Sequence, residues 1–261
     1  MLLSLHIPKT AGTAWRLHIE ANAGRAALFD SVEASDSGDP AQSARALMEA
    51  GRTVEAREAI EASGARLIHG HRAGDFSTLF PDAPVMAFLR EPRQRLAAEF
   101  VHVRNRPRAE PLFAAVHKGD LDFAEFAQQR GPIYSGEFAA GGAPRIAFLT
   151  EAPADAEQAF ADALGWRGAM MRRNVAPPAQ QSEAAALIDD HRPLLERVLA
   201  ADLELYETWR SRWASGEAHR RARDLLPAGP RRARVSPLAR ARRRAGALKE
   251  AAGRLIGADW R

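Results

Sequence analysis

The 261-residue sequence contains no cysteine, which excludes a disulfide framework, a thiolate zinc site and a cysteine nucleophile. No apolar run approaches the ~20 residues that a membrane-spanning helix needs. The first residues, MLLSLHIPK, lack the basic region and the long apolar stretch of a signal peptide, so we expect a cytoplasmic protein. Apolar residues make up 46% of the chain and charged residues 27%, which is ordinary globular usage and excludes disorder throughout.

Charge is distributed unevenly along the chain. The formal net charge is +4, but residues 216–261 hold 13 Lys and Arg against 4 Asp and Glu, so residues 1–215 are mildly acidic. The isoelectric point near 10.0 therefore reflects the C-terminal segment, and we expect no specific nucleic-acid partner. We predict one folded domain over residues 1–215 and a basic tail over residues 216–261.

Within that tail, apolar residues recur every three or four positions from Leu238 to Leu255, with Arg and Lys on the opposite face. This pattern predicts an amphipathic helix over residues 237–257, able to make a peripheral contact with an anionic membrane or a partner. A solvated extension rich in Arg and Ala is the alternative.

Short apolar runs alternate with helical patterns along the domain. The runs at 2–7, 65–69, 84–89 and 145–149 predict strands. Helical patterns cover 40–62, where one or two helices fit, and about 93–103, 121–130, 154–164 and 182–213. The alternation predicts an α/β class protein with a P-loop-like three-layer fold, in which helices flank a central parallel sheet.

The most informative segment is HIPKTAGT, residues 6–13, between the first strand and a helix. Small residues at a helix start let backbone N–H groups form a cradle for an anion. Lys9 adds a positive charge, and the hydroxyls of Thr10 and Thr13 add donors. The segment is built like a P-loop but lacks the GxxxxGK[ST] spacing. An ordinary strand-to-helix turn with an exposed lysine is the alternative.

Two other segments follow later strands. Arg90, in FLREPRQRL, can hold a phosphate through two parallel hydrogen bonds, unless it pairs with Glu91 or a neighbouring carboxylate. His69 and His71 flank Gly70, and either could act as a general base or be structural. No companion cluster of ligands indicates a metal site. Because the carboxyl ends of parallel strands meet at one edge, we expect all three segments to converge there.

Together these segments resemble the carbohydrate sulfotransferases, the group that includes heparan sulfate 2-O-sulfotransferase and its bacterial relatives. HIPKTAGT, the GH of residues 70–71 and FLREPRQRL carry the resemblance, and weaker likeness continues to about residue 213. The resemblance implies transfer of a sulfuryl group from 3′-phosphoadenosine 5′-phosphosulfate to a hydroxyl acceptor, a glycan in this group, without a metal.

The resemblance also implies roles for individual residues. Lys9 would stabilise the leaving phosphate, and His71 would be the base, with His69 as the alternative. Arg90 would hold the 3′-phosphate. The 5′-phosphosulfate would lie in a cradle formed by Lys9, Thr10, Ala11, Gly12, Thr13 and Ala14, and the nucleotide would lie against Arg173 and Asn174.

The sequence departs from the family pattern at two positions. Ala98 stands where the family often has a serine that contacts the 3′-phosphate, so that hydrogen bond is either lost or supplied by Arg93, Arg95 or another group. The loop ends Thr13-Ala14 rather than Thr-Ser, which removes a second hydroxyl. Each such bond to a charged partner contributes about 1.5–3 kcal/mol.

Two functions of other classes remain open at this point. A P-loop-like nucleotide kinase would need a carboxylate for Mg²⁺ after a strand and a glycine-rich loop ending in lysine, and neither is found. A non-catalytic family member could act as a binding module through its basic tail.

Overall fold

The computed structural model describes residues 1–30, 40–106, 109–139, 142–171 and 175–226. Five parallel strands form one sheet: β1 (Leu2–Leu5), β2 (Ala27–Asp30), β3 (Leu67–Gly70), β4 (Val85–Leu89) and β5 (Arg145–Leu149), in the order β2-β3-β1-β4-β5. The predicted α/β fold, with a central parallel sheet flanked by helices, is confirmed. Arg173, Asn174 and the predicted helix over 237–257 lie outside the described residues.

Eleven α-helices are found among the described residues. They are α1 (Gly12–Asn22), α2 (Pro40–Glu49), α3 (Thr53–Ala62), α4 (Pro92–Arg104), α5 (Pro111–Lys118), α6 (Phe123–Arg130), α7 (Pro153–Leu164), α8 (Pro178–Asp190), α9 (Arg192–Val198), α10 (Ala200–Ala214) and α11 (Glu217–Leu225). A π-helical turn spans Tyr134–Phe138, and 3₁₀ turns span Gly24–Ala26 and Ala73–Thr78. Within the described ranges, no helix is both long and apolar enough to cross a membrane.

The central strand β1 is buried on both faces, as its mostly apolar run predicts. Leu3 and Leu5 pack in a core shared with α2 and α3. Leu2 packs on the opposite face with Trp15 of α1 and with α7. A third apolar cluster joins α4, α5, α6 and α9 beside the sheet. These cores hold the strand ends, and the residues that follow them, in fixed positions.

Strand β2 was not expected from the sequence. Its four residues, ALFD, follow a 3₁₀ turn and pair with β3, with Ala27 opposite Leu67 and Asp30 opposite Gly70. A run this short gives almost no periodicity, so tertiary pairing rather than local pattern defines it. The carboxylate of Asp30 is buried against Arg45 of α2, which compensates for ending a buried strand on a charge.

The helix expected over residues 182–213 is three helices, α8, α9 and α10. The chain leaves helical geometry at His191 and again at Leu199. Pro193 lies in the first turn of α9, where its missing N–H does no harm, whereas inside one long helix it would remove a hydrogen bond and clash with the preceding turn.

Packing continues beyond residue 215, where the sequence suggested that the tail begins. In α11, Ala218 and Ala222 are fully buried, and the helix lies against β5, α7 and α10. Trp213 Nε1 donates to the Ala147 carbonyl at 2.7 Å, and Arg221 Nε donates to the Arg145 carbonyl at 2.9 Å. The end of α10 and α11 therefore cover the outer edge of β5.

Candidate anion-binding site

The topology brings the three motif segments to neighbouring strand ends. Leu5, at the end of β1, lies opposite Gly70 of β3 on one side and Ala87 of β4 on the other. After β1 the chain continues to β2, at one edge of the sheet, and after β4 it continues to β5, at the opposite edge. Adjacent strands that lead in opposite directions create the crevice in which open α/β sheets bind ligands.

The loop between β1 and α1 has a strained backbone. Lys9 and Ala11 both have positive φ, 66° and 62°, and they are the only non-glycine residues with positive φ among those described. This conformation costs about 1–3 kcal/mol per residue and is concentrated at functional sites. Ala11 is the N-cap of α1 and offers no side-chain acceptor, and the first turn holds no acidic residue. The helix start is thus suited to an external anion.

Thr10 has a different role from the one expected. Its hydroxyl donates to the Ile7 carbonyl at 2.8 Å, and the side chain is buried. The hydroxyl thus closes the loop instead of pointing outward to a ligand. Thr13 is exposed on the first turn of α1, so of the two threonines it is the one that can reach a ligand.

His6, which the sequence analysis quoted but gave no role, lies directly against the cradle. A Cβ atom added at Gly12 would lie 1.7 Å from His6 Nε2, so only glycine allows this approach. The His6 ring stacks on His71 with centroids 4.2 Å apart. Burial, the neighbouring His71 and Arg16 lower the pKa of His6 to about 3, so its ring is neutral at pH 7.

The two histidines considered as a base differ sharply in environment. His69 is 3% exposed, and its Nδ1 lies 3.0 Å from the Ser4 hydroxyl, which accepts a hydrogen bond from Trp15. Its Nε2 is buried with no hydrogen-bond partner among the described residues, and burial holds its pKa well below 6.5. His69 is therefore shut off from any acceptor in solution. His71 is exposed just beyond β3, so it is the better candidate for the base.

Arg90 follows β4 and does not pair with Glu91, one of the alternatives that the sequence left open. Glu91 instead caps α4 by accepting from the Gln94 N–H at 2.8 Å and pairs with Arg93 at 2.7 Å. Arg95 is fully buried and bonds to Glu99 at 2.9 Å. Arg93 is thus engaged by Glu91. Arg95 keeps its Nε and Nη2 buried without a hydrogen-bond partner among the described residues, so it retains donors for the replacement of the missing serine that the sequence analysis considered.

Other features of the described surface do not compete for an anion. A groove of about 600 Å³ runs along α10, lined by Glu204, Glu207 and Glu217 among others, and its acidic character disfavours a polyanion. Among the described residues, no group of three or more His, Asp or Glu is placed to hold a metal ion. Comparison of the chain with protein-family models, with curated proteins and with solved structures found no match.

Proposed function

We propose that the protein is a sulfotransferase that binds 3′-phosphoadenosine 5′-phosphosulfate and transfers its sulfuryl group to a hydroxyl, with a sugar as the acceptor class. The observation that carries the proposal is the shared sheet edge. The strained, uncapped start of α1 and the two residues His71 and Arg90 follow three adjacent strands, β1, β3 and β4.

The chemistry of these groups fits a nucleotide with two separate anionic ends. Lys9 and the N–H groups at the start of α1 would hold the 5′ end, where the bound donor supplies an activated sulfuryl group with a phosphate as leaving group. Arg90, one strand away, would hold the 3′-phosphate through its planar guanidinium. Because Ala98 offers no hydroxyl to that phosphate, we expect weaker binding than in a chain with serine there.

Each residue then has one task. Lys9 and the loop amides stabilise the negative charge that develops on the leaving oxygen. Such preorganised donors are often the largest contribution to catalysis. His71 accepts the proton from the acceptor hydroxyl, a task that contributes about 10²–10⁴-fold in rate. His71 is the exposed histidine of the stack, so it can meet a substrate that arrives from solvent.

Two measurements test the proposal. The purified chain should bind 3′-phosphoadenosine 5′-phosphate in calorimetry, and it should transfer labelled sulfate from the donor to at least one glycan or small alcohol in an acceptor screen. Lys9→Ala should reduce transfer by about 10²–10³-fold, the usual effect of removing one oxyanion donor. Lys118→Ala, on the exposed end of α5, removes the same charge elsewhere and should leave transfer unchanged. Undiminished transfer by Lys9→Ala would remove Lys9 from the mechanism, and failure to bind the nucleotide would refute the proposal.

A further inference from the structure

One buried phenol group holds both main-chain polar groups of Arg90. The hydroxyl of Tyr134 donates to the Arg90 carbonyl at 2.7 Å, and the Arg90 N–H donates back to the same oxygen at 3.0 Å. Tyr134 is fully buried, although it lies 44 positions along the chain from Arg90. The peptide from which the Arg90 side chain extends is thus fixed by a residue of another element, the π-helical turn.

That turn is itself fixed by Asp202 of α10. One carboxylate oxygen accepts from the N–H groups of Ile133 and Tyr134, at 2.7 and 3.0 Å. The other accepts from the N–H and the hydroxyl of Ser135, at 2.9 and 3.1 Å. Asp202 is completely buried, so these four charge-assisted bonds are shielded from water and hold the phenol in one position.

We propose that Tyr134, held by Asp202, is a positioning residue for Arg90, because it sets the point from which the guanidinium reaches the 3′-phosphate. This role rests on the proposed function, in which Arg90 binds that phosphate. Two parallel hydrogen bonds from a guanidinium require a defined direction, and binding constellations tolerate about 0.5 Å of displacement before they weaken. Tyr134 itself need not touch the nucleotide.

The test compares two nucleotides that differ only in the 3′-phosphate, 3′-phosphoadenosine 5′-phosphate and adenosine 5′-phosphate, by calorimetry on the full chain. Their affinity ratio reports what the 3′-phosphate contributes. Tyr134→Phe removes the hydroxyl and keeps the ring, and we expect it to lower this ratio about tenfold while binding of adenosine 5′-phosphate changes less than about twofold. In an Arg90→Ala background, the same substitution should leave the ratio unchanged, because the group it positions is absent.

A matched control separates positioning from lost stability. Trp213→Phe also removes one hydrogen bond from a ring to the main chain of the sheet, that to Ala147, and should leave the ratio unchanged. Ser135→Ala, a milder change that removes one of the four bonds to Asp202, should lower the ratio about two- to threefold. If Tyr134→Phe is poorly folded, the affinity ratio of Ser135→Ala still tests the inference.

Three results would overturn the inference. If Tyr134→Phe weakens both nucleotides equally, Tyr134 has only a structural role. If Tyr134→Phe and Ser135→Ala both keep the wild-type ratio, phosphate binding by Arg90 does not depend on the hydrogen bonds of Tyr134 and Asp202, although the proposed function stands. If the wild-type chain binds the two nucleotides equally, the proposed 3′-phosphate site fails, and this role fails with it.

Discussion

Replacing Gly70 by alanine should disrupt the sheet edge on which the candidate site is built. A Cβ atom at this position would lie 1.9 Å from the Asp30 carbonyl oxygen, a main-chain atom of β2 that no rotamer change can remove. Ordinary contacts begin at 3.4 Å, so the two strands would have to separate by about 1.5 Å, an overpacking that costs about 1–3 kcal/mol. The Gly70 carbonyl also accepts the His6 N–H at 2.8 Å, and weakening that bond adds about 1 kcal/mol.

Urea unfolding followed by tryptophan fluorescence should therefore show Gly70→Ala about 3 kcal/mol less stable than the wild type, with a midpoint of thermal unfolding lower by about 6–12 °C. Gly74→Ala is the matched control, because nothing lies within 4 Å of a Cβ there, and it should be neutral or slightly stabilising. A Gly70→Ala protein within about 0.5 kcal/mol of Gly74→Ala would refute the close approach of β2 and β3.

Two further predictions concern buried polar groups. Asp202→Ala leaves three N–H groups and one hydroxyl without their acceptor and should lower the free energy of unfolding by about 4 kcal/mol. Asp202→Asn keeps one acceptor oxygen and should cost about half as much. A loss below about 1 kcal/mol for Asp202→Ala in urea unfolding would contradict the role of these four hydrogen bonds in stability. His6 and His69 have pKa values lowered from 6.5 in the folded state, chiefly by burial, so below pH 6.5 the unfolded chain gains their protons first and stability should fall as the pH falls. For His6, whose pKa in the folded state is about 3, the loss should be about 1.4 kcal/mol per pH unit between pH 6 and pH 4. The free energy of unfolding, measured with urea across this range, should fall less steeply with pH for His6→Leu, and an unchanged slope would show that His6 protonates as readily in the folded state as in the unfolded one.

The sequence was enough to predict the strands β1, β3, β4 and β5 because each is a short, mostly apolar run that the sheet buries. It was also enough to place the loop between β1 and α1, His71 and Arg90 at one edge of the sheet, since residues after parallel strands share an edge whatever the strand order. Strand β2 escaped prediction because four residues carry no period. The break at Pro193 did leave a local signal, which the apolar periodicity on either side outweighed.

The hydrogen bonds of Tyr134 and Asp202 had no such signal. Their bonds to Arg90 and to the π-helical turn join positions separated by 44 and by 67 to 69 residues, so the bonds exist only once the chain is folded. Thr10, whose hydroxyl was expected to donate to an anion, differs from that expectation for a related reason. Its hydroxyl has a backbone partner three residues away, and a sequence does not say whether a threonine bonds to its own loop or to a ligand.

The cover over β5 has a consequence for how the protein is made. The carbonyls of Arg145 and Ala147 would otherwise offer an open strand edge to any extended chain nearby, and Trp213 and Arg221 occupy them. These two residues leave the ribosome well after the five strands have been synthesised. A chain that ends before residue 213 therefore exposes the unpaired outer edge of β5, which is prone to aggregate. Truncations from the C-terminus should give insoluble protein long before they remove any residue of the candidate site.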